Sequence, residues 1–124
     1  MKTRQLVLSG LLIVASAATA ADAPRPAGTD WEVAGTLGLM QFIVVQGPRT
    51  RDRAFYDEIT RARCAPDATC FLRFYTNSGK APLAMPLPEA IEKEPAAMFQ
   101  RSAKQGNAMF QWSCRMGVTV GNCF

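Results

Sequence analysis

From Leu37 to Gln46 the chain reads LGLMQFIVVQ, a nearly unbroken apolar run rich in β-branched residues and closed by Gly47-Pro48. Such a run predicts a strand buried on both faces, with Trp31 and Val33 adding a short strand before it. The next segment, TRDRAFYDEITRAR, sets Phe55, Ile59 and Ala62 on one stripe. That spacing predicts an amphipathic helix with Thr50 as its N-cap, and Asp57 and Arg61 paired on its solvent side.

Alternation follows in CFLRFYT, Cys70 to Thr76, where Cys70, Leu72 and Phe74 point one way and Phe71, Arg73 and Tyr75 the other. Asn77-Ser78-Gly79 turns the chain. The stretch APLAMPLP carries Pro82, Pro86 and Pro88, which excludes a helix and predicts extended chain over the surface. Between about Pro88 and Gln105 the pattern reads as a second helix with Ile91, Met98 and Phe99 inward, kinked or split at Pro95. Gly106-Asn107 stops it. AMFQWSC, Ala108 to Cys114, alternates again and puts Phe110 and Trp112 on one face of a third main strand.

Strand, helix, strand, helix, strand predicts an α+β (or small α/β) domain. Its short sheet would have about three main strands, with two helices packed on one side. The domain occupies residues 30–124. Ahead of it, Lys2 and Arg4, an apolar run from Leu6 to Ala18 and the small-residue box Ala18-Thr19-Ala20 read as a signal peptide over residues 1–20. Residues 21–29, ADAPRPAGT, read as a disordered leader with nothing to bury. The apolar run is too short to span a bilayer, so an exported, periplasmic or secreted product with no stable membrane insertion is expected.

Export changes the charge. The chain has 14 basic and 10 acidic residues, and losing Lys2 and Arg4 leaves 12 against 10, a net charge of +2. That surplus is too small to argue for nucleic acid as a partner.

The chain has no histidine. This removes the commonest general base near neutrality, the familiar hydrolase triads and every histidine-dependent zinc motif. Carboxylate-only catalysis survives, but Asp57 and Glu58 point apart on their helix, and Glu89, Glu92 and Glu94 read as solvated. No catalytic residue and no cofactor is assigned. Met40, Met85, Met98, Met109 and Met116 offer thioethers for a soft metal, but their wide spacing favours core packing and no metal site is assigned.

Four cysteines in an exported domain predict two disulfides. Spacings of six and nine do not match zinc knuckles, and no C-x-x-C redox motif occurs. A turn at Ala65-Pro66-Asp67-Ala68 favours Cys64 with Cys70, and Gly121-Asn122 favours Cys114 with Cys123. The rival is Cys70 with Cys114 across an antiparallel strand pair.

Two groups of side chains suggest binding. Arg49, Arg51 and Arg53 concentrate positive charge at a helix start, where the macrodipole disfavours it. Arg73 and Tyr75, with Phe71, form a mixed basic and aromatic strand face that is open to a partner unless the APLAMPLP loop covers it. The leading expectation is a small non-enzymatic protein of a bacterial envelope that binds another protein, as an inhibitor, immunity factor or envelope or secretion accessory subunit. The alternatives are a carboxylate-dependent hydrolase of envelope polymers and a small anion-binding protein using the arginine cluster.

Overall fold

A computed structural model describes residues 30–118 and 121–124. The signal peptide and leader read over residues 1–29 lie outside the described residues. The elements in order are β1 (Trp31–Leu37), β2 (Met40–Val45), α1 (Arg53–Arg63), β3 (Cys70–Thr76), α2 (Glu89–Glu92), β4 (Pro95–Ser102) and β5 (Asn107–Trp112). They form one sheet in sequence order, β1-β2-β3-β4-β5. Strands β2 and β3 are parallel and every other neighbouring pair is antiparallel. A parallel pair needs a long crossover, and α1 supplies it.

The class is α+β, but among the described residues the sheet has five strands rather than about three. The extra strands have two physical origins. First, the run read as one strand holds a turn: Gly38 takes a left-handed φ of 58° and Leu39 is 63% exposed, so β1 folds back on β2 as a hairpin. Second, the region read as a long second helix is helical only over Glu89–Glu92, and Pro95–Ser102 is a strand. Pro95 does not kink a helix. It opens β4 beside a register shift at Phe74/Tyr75, a position where a strand tolerates proline.

Helix α1 alone covers one face. Asp52, not Thr50, is its N-cap: the Ala54 N–H donates to Asp52 Oδ1 at 3.0 Å. Its buried stripe is Phe55, Tyr56, Ile59 and Thr60, whereas Ala62 is exposed. Asp57 pairs with Arg53 one turn earlier rather than with Arg61. Beneath the helix lie Ile43 and Val45 from β2, Leu72 and Phe74 from β3, Ala97 and Phe99 from β4 and Trp112 from β5.

The second helix is not on that side. On the opposite face, residues 81–91 run extended into the short α2 and lay Leu83, Met85, Leu87 and Ile91 over Phe42, Val44 and Tyr75. Met85 rests directly on Gly35, where any Cβ would collide with its side chain.

Both disulfides are local, Cys64–Cys70 and Cys114–Cys123, with Cα separations of 5.8 and 4.9 Å. The rival pairing fails on topology, because β4 lies between β3 and β5 and puts Cys70 opposite Arg101.

One polar network ties the β3–β4 connection to the chain end. The Glu94 carboxylate accepts from Thr76 Oγ1 at 3.1 Å and from the Ser78 N–H at 3.1 Å, and Arg115 Nη2 lies 3.7 Å away. Desolvation raises the Glu94 pKa, but hydrogen bonds from Ser78 and Thr76 and the charge of Arg115 outweigh it and hold the carboxyl below its ordinary range. A depressed folded pKa means stability that is present above the unfolded value and lost as pH falls through the folded one. Glu94→Gln is therefore expected to cost about 1 kcal/mol near neutral pH. In urea titrations the gap to the parent should narrow as the pH falls below the ordinary glutamate range and through the depressed folded pKa.

Candidate functional site

The residues singled out for binding separate onto two sides of the domain. Arg49, Arg51 and Arg53 surround the start of α1, and two of them are engaged there. Arg49 donates to both Glu58 carboxylate oxygens at 2.7 and 3.0 Å and lies 3.6 Å from Asp52. Its hydrogen bond to Glu58 pushes the arginine pKa further up and holds the Glu58 carboxyl below its usual range. Arg53 bonds Asp57 at 3.1 Å, with its guanidinium 3.8 Å from the Phe110 ring centroid. Only Arg51 of the three is exposed with no hydrogen bond or ion pair among the described residues. The helix thus places carboxylates beside Arg49 and Arg53 and stacks one guanidinium on an aromatic ring.

Arg73 and Tyr75 lie on the other side, on the face of β3 turned away from α1. The covering segment divides that face. Tyr75 belongs to the covered half, stacked on Phe42 at 6.3 Å within the cluster under residues 81–91. Toward the other end of the strands the cover stops. There the register lines up one side chain per strand across the whole sheet: Leu37, Met40, Phe71, Gln100 and Met109. Leu37 is 63% exposed and Met109 47%, while Met40, Phe71 and Gln100 are half-buried. The next row inward is Gly35, Phe42, Arg73, Met98 and Gln111, of which Gly35 and Phe42 lie under the covering segment.

In these two rows Arg73 is the only charged residue. The rest are apolar, methionine, glycine or glutamine. Interface centres have a similar make-up, rich in aromatics, Met and Arg and poor in Lys, Asp and Glu. Of these residues the sequence pointed to Phe71 and Arg73; the third it named, Tyr75, lies in the covered half. It missed Met98 and Gln100 as a surface because β4 was not recognised as a strand, and Met109 and Gln111 because only the Phe110 and Trp112 face of β5 was followed. The signal was nevertheless present, since Met98 and Gln100 alternate with Ala97 and Phe99 in period two.

Arg73 and Tyr75 also line a cleft of about 230 Å³ with Glu92 of α2, Pro95 and Met98 of β4, and Phe124. The C-terminal bridge puts Phe124 there. The Phe124 N–H donates to the Trp112 carbonyl and the Cys114 N–H to the Phe124 carbonyl, which holds the tail beside the end of β5.

None of the five clefts described is lined by two carboxylates. Among the described residues no group of three His, Cys, Asp or Glu side chains could hold a metal ion. No helix of the described residues is long and apolar enough to cross a membrane. The fold and site define a small disulfide-stapled α+β domain with one half-open sheet face. Comparison with known proteins finds no matching family model, no matching curated protein and no matching solved structure.

Proposed function

We propose that this is an exported protein that acts by binding another protein through the open half of its sheet face, as an inhibitor, immunity factor or envelope accessory subunit does. The observation that carries this reading is the row Leu37, Met40, Phe71, Gln100 and Met109, one side chain from each strand, uncharged and uncovered. Methionine and phenylalanine supply adaptable contact area, and glutamines can satisfy polar groups of a partner without the desolvation cost of a charge. Disulfides in both possible local pairs accord with an oxidising compartment. The absence of a two-carboxylate cleft among those described, and the engagement of Arg49 and Arg53 by acids, leave the hydrolase and anion-carrier readings without a supporting site.

The test is capture from the envelope fraction with a tagged chain beginning at Ala21. The parent and an α1 surface variant, Arg61→Glu, should capture the same partner. Leu37→Lys/Met109→Lys should lose it by tenfold or more while melting like the parent, because both side chains are already solvent-exposed. Capture that survives on the lysine variant, or a monomer that turns over wall or sugar substrates, overturns the reading.

A further inference from the structure

Three arginines of the domain are half-buried: Arg49, Arg73 and Arg101. Arg49 is closed by Glu58, and Arg101 donates to the carbonyls of Ala68 and Ala65 at 2.8 and 2.7 Å. Arg73 has neither a hydrogen bond nor an ion pair among the described residues, although it sits on the central strand with Phe42 and Met98 as its lateral neighbours. A guanidinium carries five donors in a planar fork, and setting it among apolar neighbours without an acceptor costs free energy. Its natural complement is a carboxylate, which can accept two parallel hydrogen bonds.

The cleft beside it limits what can bring that carboxylate. At about 230 Å³ it is smaller than small-molecule sites, which start near 300 Å³, but it has room for one side chain. Glu92 on its rim repels a run of acids, while Tyr75, Met98 and Phe124 favour apolar neighbours. Resting on the protein-binding reading above, we infer that the partner docks a single aspartate or glutamate, flanked by apolar residues, onto Arg73. The surrounding rows exclude water from the pair, as neutral contacts do around a binding hot spot.

The inference is tested with a phage-displayed random peptide library panned on the disulfide-bonded chain from Ala21 to Phe124. Enriched sequences should carry Asp or Glu between apolar residues. For a synthetic peptide of that kind, changing its acid to the amide should weaken binding tenfold or more. Arg73→Gln should do the same, the two changes together should cost little more than either alone, and Arg73→Lys should recover only part of the loss. Circular dichroism of each variant separates lost binding from lost folding. Peptides that bind Arg73→Gln as well as the parent but fail on Leu37→Lys/Met109→Lys overturn the carboxylate inference and leave the docking face standing. Peptides indifferent to both changes overturn both. Enrichment without acids, or no enrichment at all, overturns the inference.

Discussion

Replacing Tyr56 by alanine is expected to destabilise the domain by about 4 kcal/mol, the range seen when a buried aromatic is truncated. The residue is fully buried and is the junction between α1 and the far half of the sheet. Its ring meets Phe74 of β3 edge-on at 4.9 Å, Trp112 of β5 at 5.0 Å, and Phe55 and Phe110 at 5.6 Å. The register explains how one ring reaches two strands that are not neighbours. Phe74, Ala97 and Trp112 are lateral partners across β3, β4 and β5, and the small alanine leaves a hollow between two large aromatics. Tyr56 fills it. Its hydroxyl then donates to the Thr50 carbonyl at 2.6 Å and anchors the loop entering the helix. Burial pushes the phenol pKa up, so the group remains a donor across the physiological range.

Two companion changes separate ring from hydroxyl. Tyr56→Phe keeps the packing and should cost about 1 kcal/mol, the usual net value of one hydrogen bond. Ala97→Leu fills the hollow from the sheet side and should cost about 1 to 3 kcal/mol by overpacking. Urea unfolding of the three variants checks the order. If Tyr56→Phe proves as damaging as Tyr56→Ala, the hydroxyl and not the aromatic junction holds α1 in place.

The outline of this arrangement was legible where local rules and tertiary demands agree. The alternation of β3 set Cys70, Leu72 and Phe74 on one face and Phe71, Arg73 and Tyr75 on the other, as observed, and the first set packs under α1. Turn chemistry around Pro66 and Gly121 favoured the two local bridges. It failed where they conflict. Ala96, Ala97, Met98, Gln100 and Arg101 are mostly good helix formers, and in isolation they outvote Phe99. Strand β3, already paired with β2 on one edge, takes its other partner from this segment, and the paired position of Ala97 opposite Phe74 requires a small side chain for reasons no local pattern carries. The helix stripe was right at Phe55 and Ile59 but wrong at Ala62 and too narrow for a similar reason: Tyr56 and Thr60 are polar enough to look exposed, yet Thr60 Oγ1 donates to the Tyr56 carbonyl and both are buried. At the candidate site, the question whether the proline-rich loop covers the Phe71-Arg73-Tyr75 face had no single answer, because the loop spans only the Tyr75 end. How far an extended segment reaches depends on where its apolar anchors find seats. Here Met85 is seated by Gly35, and Leu87 and Ile91 by Val44 and its neighbours.

The two disulfides should rank opposite to their loop lengths. In the chain-entropy account, bridges of sequence separation 6 and 9 are worth about 2 to 3 kcal/mol each, with the longer loop slightly ahead. Burial reverses that order. Cys64 and Cys70 are both buried in the main core, whereas Cys114 is exposed and Cys123 half-buried. The shorter loop is also keyed into its surroundings: Arg101 of β4 bonds the carbonyls of Ala65 and Ala68, and Gln41 of β2 bonds both the Arg63 carbonyl and its guanidinium. Opening it with Cys64→Ala/Cys70→Ala removes buried sulfur contacts and loosens the junction of α1 with β3. The expected loss is about 3 to 4 kcal/mol, loop entropy plus lost packing. Cys114→Ala/Cys123→Ala should cost only about 2 kcal/mol, because the freed tail gives up little more than its two backbone hydrogen bonds beside Trp112. On the docking proposal above its larger effect should be on capture of peptides by the Arg73 cleft, since that tail holds Phe124 against it. Denaturant midpoints of the two double variants decide between the accounts. A larger loss for the C-terminal pair would make loop entropy, rather than burial, the dominant source of disulfide stabilisation in this domain.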